Sequence, residues 1–272
     1  MVLRCEAVKI PAEMSLFTNP RRISALHLTA PSKGSEFCVK RGSALLRDCR
    51  PDLETGIEVF DRALVLKFGQ LAALQGEASH YLSLLLSVKA ILPQPLGPDG
   101  DVIFIDGGNK FDPYAISQRS IEHELNLQRV LERIHLSRAF TYHQLSSLIV
   151  ERLSNAIDKY NARLVVISDI TALYCDSDIQ QEDRQAALDI FTKTVRFLGA
   201  LAEQKGILIV ATNLQSKSVR MDNILLRTAH VSAKLEERDA LVQVTVMRHL
   251  WIPQLKATAT TMLGNETLET YI

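Results

Sequence analysis

The sequence predicts an α/β protein whose central sheet is mainly parallel and flanked by helices, with antiparallel strands on its C-terminal side. Three short runs, at residues 102–106, 164–168 and 207–212, are rich in β-branched and other apolar residues and show no polar alternation. Such runs are typical of parallel strands that are buried on both faces. Helical patterns separate the runs, which is the order expected of parallel β–α–β units.

The first strand, turn and helix, at residues 71–92, have the layout of a phosphate-binding loop. A loop of the GxxxxGK[ST] type wraps backbone N–H groups around phosphates, and its lysine reaches the β- and γ-phosphate oxygens. Read from Gly76 to Ser83, the segment keeps the first glycine and the hydroxyl residue, but Tyr81 and Leu82 replace the second glycine and the lysine. Charge-assisted bonds to phosphate are worth about 1.5–3 kcal/mol each. We therefore expect weak phosphate binding, with Tyr81 and Leu82 filling the phosphate position; a plain strand-to-helix turn is the alternative.

Two long helices are predicted from apolar residues at helical spacing. One precedes the run at 164–168 and ends near Tyr160. The other precedes the run at 207–212 and stops at Gly206, and its apolar stripe consists of Ala187, Ile190, Phe191, Val195, Leu198 and Leu201. Beyond residue 230, strands at 231–235 and 241–247 flank a polar turn at 236–239, and a last pair surrounds Gly264 and Asn265. This pattern predicts the antiparallel side of the sheet.

Composition narrows the class of protein. The 272 residues are 47% hydrophobic, and 31 Lys and Arg balance 31 Asp and Glu, so any polyanion must be held by a local patch. The four cysteines show no CxxC spacing and no paired histidines, which argues against a zinc site or a disulfide framework. The most apolar window, at 82–92, is too short to cross a bilayer, and we expect a cytoplasmic protein without a membrane contact.

Residues 1–43 differ from the rest of the chain. They carry Pro11, Pro20 and Pro31 and two basic pairs, with little helical periodicity. We predict an N-terminal arm or linker at 1–43 and a core domain at 44–272. A loosely packed terminus fits the same pattern.

From about Thr55 to the C-terminus, the order of motifs resembles the RecA/RadA recombinase superfamily. Segments similar to the family's motifs occur in the family's order at Glu54 to Asp61, Gly76-Glu77, 102–113, 130–144, 164–174, 184–206 and 209–213. The resemblance implies a RecA-like core with a nucleotide site at the phosphate loop. It also implies departures at that site, because Gly108 stands at the family's catalytic glutamate and Leu214 at its γ-phosphate sensor, with Gln215 next to it.

The second acidic strand also departs from the family. The family's Asp-Ser reads Ser168-Asp169 here, so the carboxylate moves one position along a strand, to its opposite side. Since Mg²⁺ requires a nearly octahedral shell, the displacement disfavours a metal site. We predict no catalytic residue, no metal ligand and no required cofactor, with ATP and Mg²⁺ bound weakly at most. The vestigial nucleotide-binding residues are predicted to be Gly76, Glu77, Ser79, Ser83, Asp106 and Asp169.

The resemblance also implies two DNA-binding loops. The first, at 175–183, is acidic and should repel phosphates. The second begins at residue 216 and carries the cations for which we predict DNA contact, Lys217, Arg220 and Arg227, with Arg248 extending the patch. An ordinary solvated loop with surface cations is the alternative.

Partners are implied in the same way. The family joins neighbouring subunits through a Phe-x-x-Ala plug, and Phe17-Thr18-Asn19-Pro20 lies in a comparable place with proline for alanine. We predict that Phe17 docks on a RecA/RadA-like partner or on a second copy. The predicted function is that of an accessory recombinase paralogue with degenerate Walker motifs, which binds a partner, DNA or both in homologous recombination or DNA repair and hydrolyses little or no ATP. The alternatives are an ATPase with a non-standard loop or a KaiC-like regulatory ATPase, and a purely structural subunit of a hetero-oligomer.

Overall fold

The structure, a computed structural model, describes residues 52–215, 217–238, 241–249 and 258–262. The helices in these residues are α1 (Glu58–Leu64), α2 (Ala78–Ile91), α3 (Pro113–Glu122), α4 (Leu127–Glu132), α5 (Tyr142–Ser147), α6 (Leu153–Tyr160), α7 (Arg184–Lys205) and α8 (Val219–Thr228). The strands are β1 (Leu71–Gln75), β2 (Asp101–Asp106), β3 (Ile134–Arg138), β4 (Ala162–Ser168), β5 (Leu208–Asn213), β6 (Val231–Arg238), β7 (Leu241–His249) and β8 (Thr258–Met262). A π turn at Leu148–Arg152 joins α5 to α6, and Leu173–Cys175 form a short 3₁₀ turn.

The strands form one sheet in the order β3-β2-β4-β5-β1-β6-β7-β8. The pairs from β3 to β6 are all parallel, with Leu71 beside Ile209 and Phe104 beside Val166, whereas β6–β7 and β7–β8 are antiparallel. The carboxyl ends of six parallel strands therefore lie at one edge of the sheet, where α/β proteins bind ligands. The predicted fold class, a mainly parallel sheet with antiparallel C-terminal strands, is confirmed.

Helices cover both faces of this sheet. On one face, α1 to α4 pack on a cluster that contains Phe60, Leu82 and Phe104. On the other face, α5 to α8 pack on a cluster that contains Leu145, Phe191 and their neighbours. The central strands contribute side chains alternately to the two clusters, which explains their unbroken apolar sequence.

The predicted elements are observed with three differences. The helix expected at 145–160 is interrupted by the π turn, and the edge strand β3 was not predicted. Strand β6 continues to Arg238 and so includes residues 236–238 of the expected turn. The predicted arm at 1–43 and the turn at Gly264 and Asn265 lie outside the described residues.

Candidate functional site

The junction between β1 and α2 is short. Only Gly76 and Glu77 separate the strand from the helix, which begins at Ala78. The N–H groups of Ser79 and His80 already donate to the carbonyls of Gly76 and Glu77, at 3.0 and 3.1 Å. Residues 78–83, which align with the phosphate-loop motif, therefore form the first turns of a helix.

Side chains from this first part of α2 point into the protein. Leu82 is fully buried in the core cluster, and Tyr81 lies half-buried beneath Arg119, whose guanidinium is 4.6 Å from the ring centroid. We expected these two side chains to fill the phosphate position, and this expectation is wrong, because the early helix start turns Leu82 towards the sheet. Ser83 is also buried, and its hydroxyl donates to the carbonyl of His80 at 2.7 Å.

Gly76 allows the sheet to close over the junction. Its φ is +107°, and a Cβ atom there would lie 2.0 Å from the carbonyl oxygen of Leu235 in β6. Only glycine tolerates both this backbone conformation and so close an approach of a neighbouring backbone. The first glycine of the predicted loop therefore has a packing role in this fold.

An open cleft of about 850 Å³ lies beside this junction, at the ends of β2, β3, β4 and β5. Its acidic side chains are Glu77, Asp106, Asp169 and Asp176, and its basic side chains are Lys110, Arg138 and Lys217, with His80 at the wall. The lining thus mixes charges of both signs. Of the six predicted nucleotide-binding residues, Glu77, Asp106 and Asp169 line the cleft. Gly76 lies at the neighbouring junction, and Ser79 and Ser83 are buried in α2.

Asp106, at the end of β2, holds the loop that follows it. Its carboxylate accepts hydrogen bonds from the N–H groups of Lys110 and Phe111, at 2.9 and 3.0 Å, and lies 3.6 Å from the Nε of Arg138. With a buried side chain and three donors around it, this carboxylate organises the cleft wall.

Asp169 reaches the cleft through an unusual backbone conformation. Ser168 ends β4 with a buried hydroxyl that has no hydrogen-bond partner in the described part of the chain. Asp169 follows with φ +49°, which the short Asp side chain tolerates, and its carboxylate accepts from the N–H of Leu214 at 3.3 Å. Burial raises the pKa of Asp169 above its ordinary value, although the Leu214 N–H and Lys217 oppose the shift.

Gly108 lies against the same carboxylate. A Cβ atom at this position would come within 2.8 Å of the Cβ of Asp169. The glutamate that the family places here would therefore require Asp169 to move.

Polar contacts connect the loop after β5 to the cleft. The amide of Gln215 donates to Glu77 at 3.1 Å, and the Thr171 hydroxyl donates to Asn213 at 2.9 Å. The Asn213 amide in turn donates to the buried carboxylate of Asp222 in α8. These bonds fix both sides of the segment that contains Lys217.

His80 contributes a buried ring atom to the cleft wall. Its Nδ1 is inaccessible and has no hydrogen-bond partner in the described residues. Burial lowers the pKa of His80 below 6.5, against the opposing influence of Asp106. Its imidazole is therefore held in the neutral form more strongly than a free histidine.

The predicted DNA-binding cations differ in exposure and in hydrogen bonding. Lys217 and Arg220 are exposed and line a second cavity of about 440 Å³, together with Arg184. Arg227 lies seven residues after Arg220 on α8, and thus on the same helix face. Arg248 is half-buried, and its guanidinium donates to the carbonyls of Arg227 and Ala229, so it secures the end of α8.

The remaining predictions concern the partner anchor, metal ligands and the membrane. Phe17 lies outside the described residues. The described residues contain no cluster of three or more His, Cys, Asp or Glu side chains placed to hold a metal ion, and none of their helices has the length and apolarity to cross a membrane. Sequence reasoning missed His80, Lys110, Arg138 and Phe140 as cleft residues. A signal was available for Lys110, which follows the end of the predicted strand β2, but not for Arg138 and Phe140, because strand β3 was not predicted.

The comparisons with known proteins agree with this fold. The sequence model of the Rad51 family matches residues 48–230, more than half of the chain. The chain is similar to DNA repair protein RAD51 homolog 1 of Arabidopsis thaliana, with 31% identity over 165 residues, which are 59% of this chain and 45% of that protein. It is also similar to DNA repair protein RAD51 homolog B of Zea mays (29% over 167 residues; 59% and 49%) and to DNA repair protein Rad51 homolog of Drosophila melanogaster (25% over 173 residues; 61% and 51%). The chain spans about half the length of the curated relatives it matches. By the extent of the family match and by its sheet, the chain belongs to the Rad51 family, within the RecA/RadA recombinase superfamily.

Proposed function

We propose that this chain is an accessory Rad51-family protein of homologous recombination or DNA repair, which acts inside the cell by binding DNA and a partner and hydrolyses little or no ATP. The family supports the process, since its relatives are named as DNA repair proteins. The site geometry supports the accessory role.

One observation carries this proposal, the helix start at Ala78. A phosphate loop works by leaving consecutive N–H groups free in a concave loop and by presenting a lysine. Here those N–H groups are bonded within the helix, and Leu82 is buried in the core. The residues at the junction therefore do not fit a nucleoside triphosphate in the family's arrangement. Ser168 stands where the family has a metal-binding aspartate, and Gly108 stands where it has the glutamate that activates water, so both carboxylates are missing at these positions.

The test is a calorimetric titration of the full chain with Mg-ATP, followed by a phosphate-release assay. We expect no saturable heat with a Kd tighter than about 1 mM and no phosphate release above the level of a buffer blank. Saturable binding at micromolar nucleotide would contradict the proposal. If Lys110→Ala and Lys217→Ala abolished such binding, the nucleotide would lie in the open cleft, and the non-standard ATPase would become the better function.

DNA binding is assigned in this proposal to the segment from Lys217 to Arg227. Lys217 and Arg220 share a cavity with Arg184, and only Asp176 supplies a carboxylate to its lining. The acidic segment that follows residue 175 is exposed and disfavours contact with phosphates on that side. Of the two loops, we therefore assign the phosphate contacts to the second, together with α8.

Partner binding is assigned to Phe17. An aromatic anchor at an interface hot spot is worth about 2 kcal/mol or more. In sedimentation velocity or co-purification from the native host, Phe17→Ala should remove the assembly or the partner while the melting temperature stays unchanged. Phe37→Ala, in the same N-terminal stretch, is the control and should leave the assembly intact. A chain that is monomeric and without a co-purifying protein before substitution would contradict this assignment.

A further inference from the structure

A third cavity, of about 520 Å³ and with a basic lining, lies beside the large cleft. It is built from the end of β3, helix α5 and the π turn, and its lining includes Arg138, Phe140, His143, Ser147, Leu148 and Arg152. We propose that this pocket binds an unpaired nucleobase of a single-stranded nucleic acid, stacked on Phe140, with its flanking phosphates on Arg138 and Arg152. The inference rests on the proposed nucleic-acid binding and places a contact outside the two loops.

The ring of Phe140 is exposed but its backbone is fixed. Its side chain is 75% exposed, although the preceding Ala139 is buried and bonded through its N–H to the carbonyl of Asp106. The N–H of Phe140 donates to the side chain of Gln144 at 2.9 Å. Local structure therefore presents the ring to solvent, and an apolar face presented in this way is suited to stacking with a base.

The π turn shapes the opposite wall. Ser147 precedes this turn, and Leu148 and Arg152 are its first and last residues. π turns are rare and are frequently found at functional sites. Leu148 supplies a half-buried apolar floor, and Arg152 supplies an exposed guanidinium at the rim.

The charges of the pocket favour a polyanion. Arg138 and Arg152 line the same pocket as the aromatic ring; Arg138 also lies 3.6 Å from Asp106, whereas Arg152 makes no ion pair with any residue the structure describes. The nearby carboxylate of Glu151 is held by the hydroxyl of Ser147 at 2.8 Å. Arginine forms paired hydrogen bonds with phosphate oxygens, so this combination of two arginines and one exposed ring matches one base and its backbone.

The pocket is continuous with the proposed DNA-binding surface. Arg138 and Phe140 also line the large cleft, whose opposite side contains Lys217. A strand held at Lys217 and Arg220 can therefore continue along the cleft to Phe140. Asp106 and Asp169 are buried, and Asp106 lies beside Arg138, so the exposed carboxylates of the cleft are those of Glu77 and Asp176.

The test measures binding of the full chain to labelled oligothymidylate and oligouridylate of about 15 nucleotides, to an abasic oligomer of the same length and to heparin. Phe140→Ala should weaken oligothymidylate binding about five- to hundredfold and leave abasic and heparin binding unchanged. Tyr114→Ala, which removes another exposed aromatic ring on α3, is the matched control and should change none of them. The two base-containing oligomers distinguish DNA from RNA as the source of the base.

Two further variants test the stacking and the phosphate contact. Phe140→Trp should retain affinity, and its fluorescence should be quenched by oligothymidylate and not by the abasic oligomer. Arg152→Gln should reduce the log–log salt slope by about 0.7. Melting temperatures verify that each variant is folded.

The outcomes separate this inference from the proposed function. If Phe140→Ala leaves oligothymidylate binding unchanged while replacement of Lys217, Arg220 and Arg227 abolishes it, the pocket is overturned and the loop assignment stands. Equal losses for oligothymidylate, the abasic oligomer and heparin would mean that the pocket binds any polyanion, an acidic peptide included, and would overturn base stacking. Absence of binding to every oligomer at low salt would overturn both proposals.

Discussion

The junction after β1 and the ends of β2 and β4 lie at the same edge of the sheet, but they differ in packing, polarity and access to solvent. At the β1 junction, the helix starts at once, its N–H groups are bonded, and Leu82 is buried. At the ends of β2 and β4, an open cleft is lined by the buried carboxylates of Asp106 and Asp169 and by the exposed Lys110. One part of the edge packs into the hydrophobic core, and the neighbouring part is an open polar cleft.

A closely packed junction at one strand end is therefore compatible with an open polar cleft at the neighbouring strand ends. The stability of the β1 junction comes from close packing, as the approach of the Leu235 carbonyl to Gly76 indicates. The open cleft instead keeps buried groups such as His80, whose charged form is unfavourable. Substitutions at the junction should therefore alter stability, and substitutions in the cleft and its rim should alter binding and the pH dependence.

The largest effect is expected for Leu82→Lys, which restores the lysine of the family's motif. Because position 82 is fully buried against the sheet, the ammonium would lose its hydration and the core would lose a leucine. We expect the free energy of unfolding to fall by about 4 kcal/mol, without any gain of ATP hydrolysis. Urea denaturation measures the stability. Leu82→Met, which preserves volume, should cost less than about 1.5 kcal/mol, and a stable, ATP-binding Leu82→Lys protein would show that a loop can still form.

A smaller loss is expected for Gly76→Ala. The added Cβ would meet the Leu235 carbonyl at 2.0 Å, on a backbone with φ +107°. We expect a loss of about 3 kcal/mol in urea denaturation, from strain and displacement of β6. Gly69→Ala is the matched control, since φ is +83° there and no atom lies within 4 Å; it should cost only about 1 kcal/mol. Equal losses at both positions would mean that the junction is not closely packed.

Simultaneous replacement of Lys217, Arg220 and Arg227 by alanine should affect binding and leave stability nearly unchanged. Three phosphate contacts contribute about −2 to the log–log salt slope for single strands and about −3 for duplex, and the variant should lose this contribution. Fluorescence anisotropy at several salt concentrations measures it. The control replaces Arg129, Lys193 and Arg196, which are exposed on α4 and α7, by alanine. It changes the net charge by the same amount and should preserve the salt slope. A comparable loss of slope in the control would show that the binding is nonspecific.

Much of this comparison was predictable from the sequence, but only where local pattern determines structure. The runs at 102–106 and 164–168 predicted buried strands, because a strand covered on both faces has no polar alternation. The early start of α2 was missed because the motif was aligned residue by residue, although residues 78–91 contain neither glycine nor proline. The role of Arg248 depends on carbonyls at residues 227 and 229, and such long-range contacts leave no local pattern.

Edge strand β3 and the π turn illustrate the same limit. Strand β3 has five residues, of which only Ile134 is buried, so its sequence is too short and too weakly patterned to separate from the helical segment around it. The π turn keeps the apolar spacing of a helix, so the sequence predicts one continuous helix there. Both elements shape the pocket around Phe140, which is why sequence patterns did not reveal it.

The smallest effect concerns the pH dependence of stability at the cleft wall. Burial lowers the pKa of His80 below its ordinary value of 6.5, so the unfolded chain takes up a proton more readily than the folded one. Stability should therefore be full above pH 6.5 and decrease as the pH falls from 6.5 towards the folded pKa. Burial lowers the pKa of His123 and His249 in the same way, so His80→Asn should reduce the decrease in melting temperature between about pH 7 and about pH 5.5 without removing it. His143→Asn, at an exposed position, is the control for the substitution itself. Asp169 contributes with the opposite sign, because its pKa is raised from 3.8 and its carboxylate destabilises the fold as it ionises. A pH profile unchanged in His80→Asn would show that water reaches the ring and that the cleft wall is not closed at this point.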